Sequence, residues 1–421
     1  MNARGGGVVR PPGDKSISHR VLMLAALARG TSEIDGLLTG DDVKSTARVL
    51  RQLGAEISQI RGGGAVRISR APLTAPRAPL DCGNSGTTAR LLLGILAGQR
   101  FRARVTGDAS LRRRPMRRVT EPLRTMGAEI VEEQGDGLPL AIRGGRLRSL
   151  VYTSPIASAQ VKGALLLAGL AGRVAVTIRE PYRSRDHTER LFVHLGLNLH
   201  EQGGAIAYEP SSRSHFRSFQ LSVPGDVSSA AFLVAAAVLA ERGELLIENV
   251  GVNPTRTGFL VVLERMGAHV ERVNLRDSGG EPVADLIVRP ADLTGTEVPA
   301  AEIPTLVDEV PVLAVLASRA RGETAFREVG ELRVKESNRL ELLAANLRAV
   351  GVRAEARGND LHVEGTERPP RGRVDTAADH RLAMAFAVLA TVPGADVRLS
   401  ERRSVAISYP GFFTDLKRIG A

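Results

Sequence analysis

The chain has 421 residues, 43% hydrophobic and 24% charged, with one cysteine, no tryptophan and a formal charge of 57 − 46 = +11. That length makes two or more domains the default, because single cores stop growing at about 250–300 residues. No run approaches the ~18 apolar residues of a membrane span, the N-terminal MNARGGGVVRPPGDKS lacks an apolar signal core, and a lone Cys82 excludes an internal disulfide framework.

A cytoplasmic protein is expected. Basic residues are spread along the chain, only five are lysine, and aromatics total 3%, which leaves little for stacking bases. The charge therefore points to an anionic small molecule and not to nucleic acid or a membrane.

In chain order, Val8-Val9-Arg10 reads as a strand, and HRVLMLAALARG as a helix apolar nearly all round, hence buried. An amphipathic helix ending in LRQLGA follows, closed by Gly54 and leading into the strand-like EIS. The same succession recurs with LRTMGA, FVHLGL, LERMGA, LRAVGV and LKRIGA, closed by Gly127, Gly196, Gly267, Gly351 and Gly420. The intervals are 73, 69, 71, 84 and 69 residues. Between them lie further Ala/Leu-rich helices, from TARLLLGILAG to HRLAMAFAVLA, each followed by an alternating strand such as RARVTG or ELLIENV. The chain is thus a sixfold repeat. The sixth unit stops at Ala421 before its final strand, and Val8-Val9-Arg10 is expected to supply it, bringing both termini into one domain. Three units per domain gives residues 14–224 and residues 1–13 with 225–421, with hinges near 13–14 and 224–225.

Small polar residues precede every buried helix: Asp14-Lys15-Ser16, Asn84-Ser85-Gly86, Ser158-Ala159-Gln160, Asp226-Val227-Ser228, Asp308-Glu309 and Asp379-His380-Arg381. Helix capping accounts for most of them. It does not account for Lys15, Arg20, Arg90 or Arg381, because a helix N-terminus disfavours cations unless an anion is present. Arg112-Arg113-Arg114, Arg185 and the run Arg333 to Arg339 extend the basic set, and most such arginines read as solvated charge. Asp308, Glu336 and Asp379 have no place in a purely electrostatic anion trap, whereas proton transfer requires such groups. No Walker, Rossmann, metal or Ser-His-Asp pattern is present, so neither metal nor cofactor is expected. Cys82 reads as a small core residue.

The segments PGDKSISHR, LDCGNSGTTARLL, RRRPM, SAQVKGALLLAGL, SRDHTERL, PGDVSSAAF, VDEVPVLA, RVKESNRL and DHRLAMA, in that order, resemble the 5-enolpyruvylshikimate-3-phosphate synthases. The resemblance implies an α/β fold, a two-domain inverse α/β barrel with helices inside and sheets outside, built of six βαβαββ repeats. It implies transfer of the enolpyruvyl group of phosphoenolpyruvate to the 5-hydroxyl of shikimate 3-phosphate by a monomer, through a tetrahedral intermediate and with domain closure. By the same resemblance Lys15, Ser16, Arg20, Ser158, Ala159, Gln160, Arg185, Asp308 and Lys335 hold shikimate 3-phosphate. Lys15, Gly86, Arg114, Gln160, Arg339 and Arg381 hold phosphoenolpyruvate. Asp308 matches the family's base at the 5-hydroxyl, and Glu336, with Lys15, its acid at the methylene carbon. Gly86 leaves room that glyphosate uses, so inhibition is expected. Ile407 stands where some members have lysine, so one phosphoenolpyruvate contact is expected either to be missing or to be supplied by Arg402 or Arg403.

Two rival readings fit the residues less well. The sister enzyme acting on UDP-N-acetylglucosamine uses a loop cysteine, but here Asp108-Ala109-Ser110 occupies that stretch. RNA-end processing on a related repeat leaves the three carboxylates unexplained.

Overall fold

The computed structural model describes residues 6–69, 71–211 and 216–420. Its repeat is clearest in the second copy. Strand Leu80–Asp81 leads into the inner helix Gly86–Ala97, then strand Arg102–Thr106, the outer helix Arg117–Met126 and a hairpin of Glu129–Glu132 with Leu140–Arg143. The first two strands pair in parallel across the inner helix, and the hairpin adds two antiparallel neighbours. Five four-stranded sheets share this order.

Inner helices are buried because their sequences are apolar on every side. All twelve residues of Val227–Val238 are buried, and so are all eight of Val310–Ala317. Burying each large apolar side chain contributes roughly 1.5–3 kcal/mol. Outer helices bury one stripe only, as Val119, Leu123 and Met126 do in Arg117–Met126. The six closing glycines all take positive φ, from +70° at Gly196 to +110° at Gly127, where a side chain would strain the backbone.

The N-terminal strand differs from expectation. Gly7–Val9 lies parallel to Leu245–Gly251, with Val8 opposite Leu246, so it completes the fourth repeat and not the sixth. The slot is open there because Gln220–Ser222, the strand that precedes the fourth inner helix, pairs instead with Thr31–Asp35 of the first repeat. Among the described residues, the sheet of the sixth repeat consists of Arg371–Val374 and Asp396–Leu399. Among the described residues, Gly6 N–H of the N-terminal segment donates to the Ile419 carbonyl of that repeat at 3.1 Å.

The chain forms two compact units. One comprises Gly13–Val223 and Ser278–Glu281, and the other comprises the chain through Pro12, Pro224–Asp277 and the chain from Pro282 onward. Ser278–Glu281 departs from the expected division. Glu281 accepts from His187 Nδ1 at 2.7 Å, and the Gly280 carbonyl accepts from Arg190 at 3.2 Å. The extra length between Gly267 and Gly351 goes largely into long hairpin strands, Val270–Ser278 and Glu281–Val288. At the first crossover, a Cβ on Gly13 would lie 1.8 Å from the Gly36 carbonyl oxygen, so only glycine fits.

Candidate active site

In the Gly13–Val223 unit, three inner helices begin with side-chain caps. Asp14 accepts from Ile17 N–H, Ser85 from Thr88 N–H and Ser158 from Val161 N–H. Capping is therefore real, and the cations sit beside it. Lys15 Nζ lies 3.2 Å from Asp42, with both side chains mostly buried. Arg20 is buried; its Nε donates to Thr188 Oγ1 at 2.7 Å, and its two Nη groups donate to the Ser16 and Ala159 carbonyls at 2.9 and 3.3 Å. Burial pushes Arg20 down to about 10; Glu189 and Asp14 oppose that, and the nearby positive charge of Arg185 adds to it. Ser16, Arg20, Ser158, Ala159 and Arg185 thus share one neighbourhood.

Gly86 opens the second inner helix. A Cβ there would lie 2.7 Å from Arg90 Nη1 and 3.5 Å from Arg114 Nη1. Arg90 donates to Gln160 Oε1 at 2.9 Å and to the Pro115 carbonyl at 2.9 Å. Arg114 is held by Asn84 Oδ1 at 2.6 Å and by Ser110 Oγ at 3.2 Å. Gly86, Arg90, Arg114 and Gln160 form a second basic neighbourhood of the same unit.

In the other unit, Arg339 is the centre. Asp379 accepts from its Nε at 2.8 Å and its Nη2 at 3.1 Å, Glu336 lies 2.6 Å from Nη2, and Asp308 lies 3.6 Å from Nη1. Burial works against this guanidinium, but the three carboxylates outweigh it and hold its pKa above the usual arginine value. Burial likewise opposes the Asp379 carboxylate, and Arg339 brings its pKa below the usual range. Asp308 is ringed by Lys335 at 3.8 Å, Arg339 at 3.6 Å and Arg381 at 3.8 Å. These residues sit at helix starts: Asp379 caps His380–Leu389 through Arg381 N–H, and Asn338 caps Arg339–Ala349.

The sequence reading holds for five of the six inner caps. The sixth differs, since Glu309 makes no side-chain cap to Val310–Ala317. Instead Glu309 is fully buried, accepts from Ser228 Oγ, and lies 3.5 Å from Arg381 and 3.9 Å from Arg256. Lys335 follows the short 3-10 turn Gly330–Val334 in extended conformation and does not lie in the helix that begins at Arg339. Arg402 stacks its guanidinium 5.1 Å from the Phe413 ring centre, which ties it down. Cys82 is buried, and burial pushes its thiol well up, as a core residue requires. Asp42, Glu180 and Arg256 were missed by sequence reasoning, and Glu309 was noted only as a cap. A charged residue in an apolar run is a signal for Lys162, inside QVKGALLLAGL, but Asp42, Glu180 and Arg256 lie in polar segments that give none.

Residues 2–416 match the family profile EPSP synthase (3-phosphoshikimate 1-carboxyvinyltransferase). The chain belongs to the EPSP synthase family. A 3-phosphoshikimate 1-carboxyvinyltransferase of Synechococcus sp. (strain RCC307) is 48% identical over 423 residues, covering 98% of this chain and 96% of the relative. One from Thermus thermophilus is 49% identical, covering 99% and 96%. Among solved structures, EPSP synthase from Acinetobacter baumannii superposes with a TM-score of 0.88 at 37% identity, covering 100% of this chain and 97% of that one. The enolpyruvyl transferase NikO from Streptomyces tendae shares the fold, with a TM-score of 0.78 at 20% identity. This member of the EPSP synthase family is an enzyme of aromatic amino-acid biosynthesis that transfers enolpyruvyl from phosphoenolpyruvate to shikimate 3-phosphate. Among the described residues, no helix is long and apolar enough to cross a membrane.

Proposed function

We propose that this EPSP synthase uses the two neighbourhoods of the Gly13–Val223 unit and the Arg339 cluster of the other as its working parts. Ser16, Arg20, Ser158, Ala159, Gln160, Arg185 and Lys335 hold shikimate 3-phosphate. Ser158 Oγ already accepts from Val161 N–H, so its own proton is left for a phosphate oxygen. Lys15, Gly86, Arg114, Gln160, Arg339 and Arg381 hold phosphoenolpyruvate.

Asp308 takes the proton of the 5-hydroxyl as its oxygen bonds C2 of phosphoenolpyruvate. Glu336, with Lys15, delivers a proton to the methylene carbon, giving a tetrahedral ketal phosphate. Loss of phosphate from C2, with one methyl proton returned to Glu336 and Lys15, then gives the enol ether product. The observation that carries this reading is the ring of three cations 3.6–3.8 Å from Asp308, with Glu336 on the same arginine. A base and an acid so placed serve addition in one direction and elimination in the other.

Because the assigned residues divide between the units, we also propose that substrate binding closes them and excludes water from the intermediate. The enzyme works as a cytoplasmic monomer, without nucleic acid as a partner. The test is phosphate release from phosphoenolpyruvate with shikimate 3-phosphate, beside UDP-N-acetylglucosamine and acceptor-free reactions. Release with shikimate 3-phosphate alone is expected. Release only with the nucleotide sugar, or with neither acceptor, would contradict the reading.

A further inference from the structure

Behind the first neighbourhood lies a buried charge cluster to which no role has been assigned. Lys162, in the middle of an apolar inner helix, is 1% exposed and sits 2.8 Å from Glu180 Oε2 and 2.7 Å from Glu189 Oε1. Glu180, just after strand Val176–Arg179, has a side chain 5% exposed. A fold gains little from burying three charges in place of apolar side chains. What Glu180 bonds besides Lys162 is informative.

Its Oε1 accepts Ser158 N–H at 3.0 Å and Ser184 Oγ–H at 2.7 Å, and its Oε2 accepts Ser184 N–H at 3.3 Å. Ser158 and Ser184 come from separate loops, one carboxylate ties both, and Arg185 follows Ser184 in the chain. The far end of the cluster reaches the remaining partners. Glu189 adjoins Thr188, whose hydroxyl accepts from Arg20, and Arg20 in turn fixes the Ser16 and Ala159 carbonyls. Hydrogen bonds from Glu180 and Arg20 thus reach Ser158, Ser16 and Ala159, Thr188 beside Glu189 holds Arg20, and Arg185 follows the anchored Ser184.

We propose that Glu180, held by Lys162, is the positioning residue of the shikimate 3-phosphate site, setting the spacing between the Ser158 hydroxyl and the Arg185 guanidinium. It touches no substrate. The carboxylate occupies the Ser158 N–H, so a substrate phosphate is directed to the serine hydroxyl and the arginines. This rests on the assignment of Ser158 and Arg185 to shikimate 3-phosphate.

The test is steady-state kinetics of Glu180→Ala in the full enzyme. Glu189 remains to pair Lys162, so no unpaired charge is left in the core, whereas Lys162→Met would strand two carboxylates. The expected result is a KM for shikimate 3-phosphate raised about tenfold or more, with kcat and the KM for phosphoenolpyruvate within about threefold, since small misplacements of binding groups have effects of that order. Ser184→Ala, a smaller change, should move the same KM in the same direction. An unchanged KM for shikimate 3-phosphate in both variants, or an equal loss for both substrates, would overturn the positioning role. Arg185→Ala and Ser158→Ala run alongside. If these leave that KM unchanged, the underlying assignment fails, and the proposal with it.

Discussion

Arg339 and Asp379 form a two-pronged pair, Nε to Oδ2 at 2.8 Å and Nη2 to Oδ1 at 3.1 Å, with side chains 1% and 0% exposed. The same carboxylate caps the helix that carries Arg381 and accepts from Ser337 Oγ at 2.9 Å. One buried anion therefore orients two arginines assigned to phosphoenolpyruvate.

Asp379→Ala should cost about 3 kcal/mol of stability, near the lower end of the range for breaking a buried pair, because Glu336 and Asp308 still face Arg339. Urea unfolding measures it. A loss under about 1 kcal/mol would show that the pair is not what holds Arg339 in place.

Gly86→Ala places a methyl 2.7 Å from Arg90 Nη1, which must then leave Gln160. We expect the enzyme to be inhibited by millimolar glyphosate and the variant to need roughly 10–200-fold more, the usual discrimination for one methyl group in a pocket. Inhibition curves that coincide for the two proteins would contradict this use of the space.

His19 gives a pH dependence. Burial, then the charges of Lys15 and Arg20, push its imidazole well below the usual value near 6.5, and its Nδ1 bonds Thr46 Oγ1 at 2.6 Å. The unfolded chain therefore binds a proton below about pH 6.5 that the folded chain refuses, so stability falls as pH falls through that value. The slope for one such group is about 1.4 kcal/mol per pH unit. His19→Asn should flatten the decline of unfolding free energy between about pH 6.5 and 5. An unaltered slope would assign the effect to other groups.

Much of this was legible in the sequence. Closing glycines and apolar inner helices carry a period of about seventy residues, and local chemistry dictates both. The strand Gly7–Val9 was expected in the sheet of the sixth repeat and lies in that of the fourth, because pairing with Leu245–Gly251 depends on which slot another strand, Gln220–Ser222, leaves open. Asp308, Glu336 and Asp379 stood out as anions among cations. The partners of Asp42, Glu180 and Glu309 did not, since they lie 27, 18 and 81 residues away and no periodicity links them.

Closure on substrate is tested by small-angle scattering. Shikimate 3-phosphate should reduce the radius of gyration, and an unchanged value at saturation would remove closure from the account.

The most direct test of the chemistry is rapid-quench turnover of Asp308→Ala with both substrates saturating. The kcat should fall by about 10²–10⁴-fold, the usual contribution of a positioned acid or base, with shikimate 3-phosphate still bound. A kcat equal to that of the unaltered enzyme would take Asp308 out of the mechanism.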